Sequence, residues 1–189
     1  VIIDNLSFGD IKNIADISSK VDLLIGDVRN SMILESVGKV DYVFHLAGVS
    51  TSALFDEYNL VSAYHNSIIG FINLLLYCKE TKVKKILFAS TSSMYANNKG
   101  LLNEDSSLTP LNFYGVVKLS MEHTAMVFSS IYNQEILAFR FFSVYGKNEQ
   151  HKEEFANLAS QFLWSIRKGK SPVVYGDGKQ ERDFIFVED

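Results

Sequence analysis

The sequence predicts an α/β chain built on a doubly wound parallel sheet. Short β-branched and apolar runs alternate with helical segments five times before Gly146. These runs lack apolar–polar alternation, the pattern of parallel strands covered on both faces. Their carboxyl ends carry small or polar clusters, and open α/β sheets bind ligands outside those ends.

The elements follow in order. Val1 to Asn5 is an apolar strand closing on Asp-Asn. Asp10 to Ser19 is a short helix, with Ile11, Ile14 and Ala15 at helical spacing. Val21 to Ile25 is a second strand, closed by Gly26-Asp27. Ser31 to Val37 is a second helix, with Ser31 as its N-cap. Val40 to Leu46 is a third strand leading into Ala47-Gly48, and a long helix from Leu54 to Glu80 follows, with a break near Asn59. Lys85 to Ala89 is a fourth strand and Ile136 to Phe142 a fifth. Between them lie a polar loop, Asn97 to Pro110, and a helix, Asn112 to Tyr132. After Gly146 the texture changes. Lys147 to Lys152 is charged, Phe155 to Lys168 is amphipathic, and Pro172 to Tyr175 and Phe184 to Val187 are short strands around Gly176-Asp177-Gly178. The expected division is a ligand-binding domain over residues 1–146 and the start of a smaller lobe over 147–189.

Composition narrows the class. The 189 residues are 47% hydrophobic and 21% charged, which is globular. A net charge of −4 without a basic run gives no reason to expect nucleic acid or an anionic membrane as partner. The richest apolar run, Ile68 to Tyr77, is short of the roughly 18 residues of a membrane span. A single cysteine, Cys78, forbids an intrachain disulfide and fits a reducing, cytoplasmic setting. The four histidines are scattered and no Cys–His constellation exists, so no metal site is expected. His45, on an apolar strand, reads as a hydrogen-bonded core residue, and Phe71, Leu74 and Leu75 read as a core stripe. Val1-Ile2-Ile3-Asp4 reads as the middle of a strand rather than a beginning.

The candidate chemistry lies on strand ends and one helix. Asp4 can accept both hydroxyls of an adenosine ribose and would repel a 2′-phosphate, or it can cap the following helix. Asp27 can cap a helix or meet an adenine amino group. Ala47-Gly48 is small, as a backbone passing a pyrophosphate must be, or as a tight turn is. Thr91 ends the fourth strand, where a hydroxyl serves a turn or a substrate. Tyr114 and Lys118 stand four apart and therefore share one helix face. A phenol normally keeps its proton to about pH 10, and a neighbouring ammonium lowers that value. Alone, the pair recurs by chance and reads as a surface aromatic beside a solvated lysine.

Taken together, these segments resemble the extended short-chain dehydrogenase/reductases, specifically the nucleotide-sugar epimerase/dehydratase family with its Rossmann-like domain. The matching segments are Val1 to Ser7, Gly26-Asp27-Val28-Arg29, His45-Leu46-Ala47-Gly48, and Asn66 with Gly70. They continue with Phe88 to Tyr95, Tyr114 to Lys118, Arg140 to Gly146 and Tyr175 to Phe184. The resemblance implies a nucleotide-sugar substrate and tightly held NAD, contacted by Asp4, Asn5, Asp27, Val28, Leu46, Ala47, Gly48, Asn66, Tyr114 and Lys118. It implies Tyr114 as base, Lys118 lowering its pKa, Thr91 on the reacting oxygen, and Thr91, Ser92, Ser143 and Arg182 on the substrate. Arg182 would pair with the diphosphate. A homodimer through the helices around 54–80 and 112–132 is also implied.

Departures sharpen the expectation. Dehydratases of this family carry a carboxylate just after the Thr, and here Ser92 and Ser93 stand there. That favours a UDP-hexose 4-epimerase over a reductase or dehydratase; an inactive nucleotide-binding member is disfavoured because Thr91, Tyr114 and Lys118 are all retained. Ser143 replaces the usual Asn or Thr, which blurs the sugar. The family's first strand and Gly-x-x-Gly-x-x-Gly turn do not occur in this sequence. That strand lies at the sheet's centre. Residues 1–189 alone are therefore expected neither to fold stably nor to bind NAD well. Micromolar NAD binding by that polypeptide would refute the expectation.

Overall fold

A computed structural model describes residues 1–49 and 60–189, apart from the side chain of His151. The chain forms two compact units, Val1–Arg140 and Phe141–Asp189.

In the first unit, β1 (Ile2–Asp4) pairs in parallel with β2 (Leu23–Ile25). Separately, β3 (Tyr42–His45), β4 (Lys85–Ala89) and β5 (Glu135–Phe139) form a parallel three-stranded sheet in that order. Among the described residues nothing pairs with the edge strands β1 and β3 on their other sides. A cavity of about 640 Å³ is lined by both, by Val1, Ile2 and Ile3 on one side and Val43 and Phe44 on the other. Among the described residues no strand joins β1 to β3, so the first unit holds two separate parallel sheets.

The helices are α1 (Ser31–Glu35), α2 (Leu60–Tyr64), α3 (Gly70–Thr81) and α4 (Phe113–Tyr132), with a π-turn, His65–Ile69, joining α2 to α3. The predicted positions 54–59 of the long helix fall outside the described residues. Leu60–Thr81 is long and apolar enough to cross a membrane by composition. Its role here is packing, since Phe71, Leu74, Leu75 and Cys78 join Ile86 and Phe88 of β4 and Val117, Met121 and Phe128 of α4 in one core. Burying each such large side chain stabilises by about 1.5–3 kcal/mol.

Among the described residues, Val43, Ile86, Phe88, Ile136 and Ala138 turn to the helices, and Tyr42, Phe44, Leu137 and Phe139 on the opposite face are exposed. Apolar runs specify strands without saying which face meets the helices. Several expectations change. The 10–20 region is a 3₁₀ helix, Ile11–Lys20, with no buried residue. The caps also move by one position or more. Asn30, not Ser31, caps α1, its side chain accepting from Met32 N at 3.1 Å. Asp10, not Asp4, caps the 3₁₀ helix.

The second unit holds a 3₁₀ segment (Gln150–Phe155), α5 (Leu158–Arg167), and β6 (Val144–Tyr145) paired in parallel with β7 (Ile185–Phe186). The later compact unit begins at Phe141 and holds the β6–β7 pair. Pro172–Tyr175 forms no strand; Val173, Val174 and Tyr175 are exposed and lack a ladder partner.

Candidate active site

One strand end and one helix start build the centre. Ser90 N donates to Phe139 O at 2.8 Å, carrying the β4–β5 ladder one residue past β4. The chain then turns at Thr91, whose Oγ1 accepts from Ser93 N at 3.1 Å and opens a 3₁₀ turn, Ser92–Tyr95. The turn-forming role expected of Thr91 is therefore real.

α4 starts beside this turn. Asn112 caps it, accepting from Gly115 N at 2.8 Å. At Gly115 a Cβ would sit 2.9 Å from Pro110 Cβ and 3.3 Å from the Ser93 carbonyl oxygen. Only glycine allows so close an approach. It brings Tyr114, at the first turn of α4, near enough to the Thr91 side chain for that hydroxyl to favour the phenolate. Lys118, one turn on, reaches back so that Nζ donates to Ala89 O at 2.7 Å. Thr91, Tyr114 and Lys118 are all buried. The surface-helix reading of this pair is overturned.

The electrostatics differ from the sequence expectation. Burial raises the Tyr114 pKa above 10.0, and the Thr91 hydroxyl only partly opposes it. Lys118 Nζ stands 5.9 Å from the Tyr114 ring centre and donates to the Ala89 carbonyl. Burial instead lowers Lys118 to about 8. Desolvation is the largest influence on both groups.

The cavity gathers the strand-end residues. Asp4, Asn5, Asp27 and Val28 line it from β1 and β2. Leu46, Ala47, Gly48 and Asn66 line it from β3 and the π-turn. Asp4 Oδ1 accepts from Leu6 N at 2.7 Å. Asp27 caps no helix. It accepts from Arg29 N and Nε, both at 2.9 Å, from Arg29 Nη2 at 2.7 Å and from Asn5 Nδ2 at 3.1 Å. The Arg29 side chain holds this carboxyl far below the usual range. Four accepted bonds fill the capacity of a carboxylate, which counts against an adenine contact through that side chain.

Gly48 has φ +137°, a conformation that side-chain-bearing residues rarely adopt. Asn66 Oδ1, Ser67 Oγ and His45 Nε2 are buried without a hydrogen-bond partner among the described residues. His45 is core, as expected, and stacked on Phe71 at 5.4 Å. Burial, aided by the Lys118 charge, holds it neutral with a pKa of about 3. Orphaned polar atoms and a π-turn are both marks of a ligand site.

Ser143 and Arg182 lie in the second unit. Ser143 has φ +35°, and Arg182 is exposed, its Nη1 donating to Glu181 O at 2.6 Å. Sequence reading missed Ser90 and Glu122. Ser90 Oγ donates to Glu122 Oε1 at 2.5 Å, and Arg140 pairs with the same carboxylate at 2.7 Å. The signal was available: Glu122 continues the Tyr114–Lys118 face by one more turn. Among the described residues no cluster of His, Cys, Asp or Glu could hold a metal.

This arrangement defines a doubly wound α/β chain with a Thr–Tyr–Lys centre beside a strand-end cavity. All of its residues, 1–189, match the NAD dependent epimerase/dehydratase family, and the chain belongs to that family. An uncharacterized UDP-glucose epimerase of Bacillus subtilis is 35% identical over 171 residues, covering 90% of this chain and 51% of that protein. Among solved structures, the UDP-N-acetylglucosamine 4-epimerase of Methanobrevibacter ruminantium, in complex with UDP-N-acetylmuramic acid, superposes with a TM-score of 0.92 at 31% identity. That match covers 99% of this chain and 61% of the other. The UDP-glucuronic acid 4-epimerase of Bacillus cereus, in complex with UDP-glucuronic acid and NAD, gives 0.81 at 29% identity, covering 94% and 56%. The chain thus spans between half and two thirds of these relatives' lengths.

Proposed function

We propose that the protein is an NAD-dependent epimerase of nucleoside-diphosphate sugars, of the UDP-hexose 4-epimerase type. The observation that carries this is the burial of Thr91, Tyr114 and Lys118 together, with Lys118 one helical turn from Tyr114. In this reading residues 1–146 form the cofactor-binding domain and 147–189 begin the substrate lobe.

The chain's residues fit NAD. Asn66 Oδ1 is a buried acceptor without a partner, and Gly48 offers backbone uncovered by a side chain at the same cavity. Asp4 would take the adenosine ribose hydroxyls. Asn5, Val28, Leu46 and Ala47 would line the adenine and pyrophosphate course, with Asp27 holding Asn5 and Arg29 in place. Lys118 would bind the nicotinamide ribose. When bound, NAD supplies reversible hydride acceptance.

Tyr114 takes the proton from the sugar hydroxyl that is oxidised and returns it when the ketone is reduced on the other face. Thr91 hydrogen bonds the same oxygen. A general base must be deprotonated to act, so Tyr114 must come down from its raised pKa. The Thr91 hydroxyl lowers it, and a Lys118 ammonium freed from Ala89 O would add to that. Thr91, Ser92, Ser143 and Arg182 are proposed to bind substrate, Arg182 through the diphosphate. Ser92 and Ser93 bring no carboxylate next to Thr91, and Glu122 is bound to Ser90 and Arg140. This favours epimerisation over dehydration. A homodimer is proposed through α3 and α4, where Leu76, Met126, Val127 and Ile131 are exposed, and the cytoplasm is the proposed setting.

The test is Tyr114→Phe in the full-length protein, assayed with UDP-hexoses by product analysis and nicotinamide absorbance. The wild type should interconvert epimers with no net cofactor change, and the variant should lose at least about 100-fold in kcat. Stoichiometric consumption of NADH by the wild type would make it a reductase. Unchanged activity in the variant would refute Tyr114 as base.

A further inference from the structure

Three side chains spaced four apart on α4 meet three consecutive residues at the end of β4. Tyr114 lies against the Thr91 side chain, whose hydroxyl favours the phenolate, Lys118 bonds the Ala89 carbonyl at 2.7 Å, and Glu122 accepts from Ser90 Oγ at 2.5 Å. The first two contacts belong to the catalytic reading, and the third has no role in it. Ser90 is 3% exposed and the Glu122 side chain 11%. A carboxylate so enclosed is costly unless fully bonded.

It is fully bonded. Arg140 Nε lies 3.1 Å from Oε1 and 3.2 Å from Oε2, and Nη2 lies 2.7 Å from Oε2. The same guanidinium donates through Nη1 to Tyr95 Oη at 2.6 Å and to Glu104 O at 3.0 Å. Glu122 therefore joins four pieces of chain: the β4 end, α4, the residue after β5, and the turn and loop that follow Thr91. The backbone of Ser90 is fixed by Phe139 O and its side chain by Glu122. The next residue is Thr91, whose rotamer Ser93 restrains.

We propose that Glu122 is a positioning residue that, through Ser90 and Arg140, holds the Thr91 hydroxyl in register with Tyr114. The inference rests on Tyr114 being the base, as proposed above. Releasing Ser90 frees the peptide leading into Thr91. A hydroxyl displaced by about 1 Å costs up to about 100-fold in rate. The Thr91 hydroxyl also favours the phenolate, so displacing it moves the Tyr114 titration to higher pH.

The experiment uses Ser90→Ala, Glu122→Gln and Tyr114→Phe in the full-length protein. Ser90→Ala leaves the Glu122–Arg140 pair intact and so preserves the fold even where Glu122→Gln does not. Expected for Ser90→Ala are a fall in kcat of about tenfold, KM for the nucleotide sugar within about twofold, and a rising limb of the pH–rate profile moved to higher pH. Ultraviolet titration of each protein against its Tyr114→Phe counterpart should show the same upward move without turnover. Glu122→Gln, where folded, should give a loss in the same direction. If Tyr114→Phe is inactive while Ser90→Ala keeps the wild-type kcat, pH limb and phenol titration, the positioning role is overturned and the base assignment stands. If Tyr114→Phe stays active, the base assignment falls and this inference falls with it.

Discussion

Lys118 gives the sharpest quantitative prediction. The residue is 5% exposed, and burial lowers its pKa from 10.5 to about 8. At about 1.4 kcal/mol per unit, that displacement corresponds to roughly 3 kcal/mol against the charged form. The sign follows from linkage. Between about pH 8 and 10.5 the unfolded chain holds a proton on this lysine that the folded chain has released, so stability rises with pH across that window. The contribution is complete above 10.5 and is lost as pH falls through 8. Lys118→Met keeps the length of the side chain and removes the titration. The stability of the wild type minus that of Lys118→Met should grow by about 3 kcal/mol from pH 7 to 10.5. Loss of the bond to Ala89 O offsets both ends equally, so the slope is cleaner than either absolute value. The assay is urea denaturation of the two full-length proteins at four pH values in that range. Parallel curves would show that Lys118 carries its normal pKa and is solvated in the folded protein.

Two further outcomes are expected. Cys78 is fully buried and its thiol is pushed up to about 12 by desolvation, so a disulfide reagent at pH 8 should leave it unmodified in the native protein and label it once urea unfolds the chain. Asn30→Ala should destabilise by about 1 kcal/mol through loss of the α1 cap, whereas Ser31→Ala should change stability by less than about 0.5 kcal/mol; thermal melting of the two variants distinguishes them.

Local geometry made much of this protein legible. The Lys85–Ala89 strand was bounded correctly because its apolar run and flanking polar residues are all within reach of each other in sequence. α4 was placed to within one residue, since Asn112 and the apolar stripe mark it locally. Asn30 was missed because two adjacent residues, Asn30 and Ser31, can each cap, and only the backbone decides which is extended. Pro172–Tyr175 has strand propensity, but a strand needs a neighbour, and none is written in those four residues.

The centre divides the same way. That Tyr114 and Lys118 share a face is fixed by 3.6 residues per turn, and the sequence suffices for it. That they are buried, and that burial raises the phenol and lowers the amine, are set by what packs around them. The Ser90–Glu122–Arg140 clamp joins residues up to fifty positions apart, and no local pattern encodes that meeting. The sequence by itself determined the order of elements before Gly146 and the helix face shared by Tyr114 and Lys118, because each rests on short-range spacing. Only the tertiary structure decided which face of the sheet meets the helices, the separation of β1 from β3, and the electrostatics of Tyr114 and Lys118. Those depend on desolvation and long-range partners, which exist only once the chain has folded.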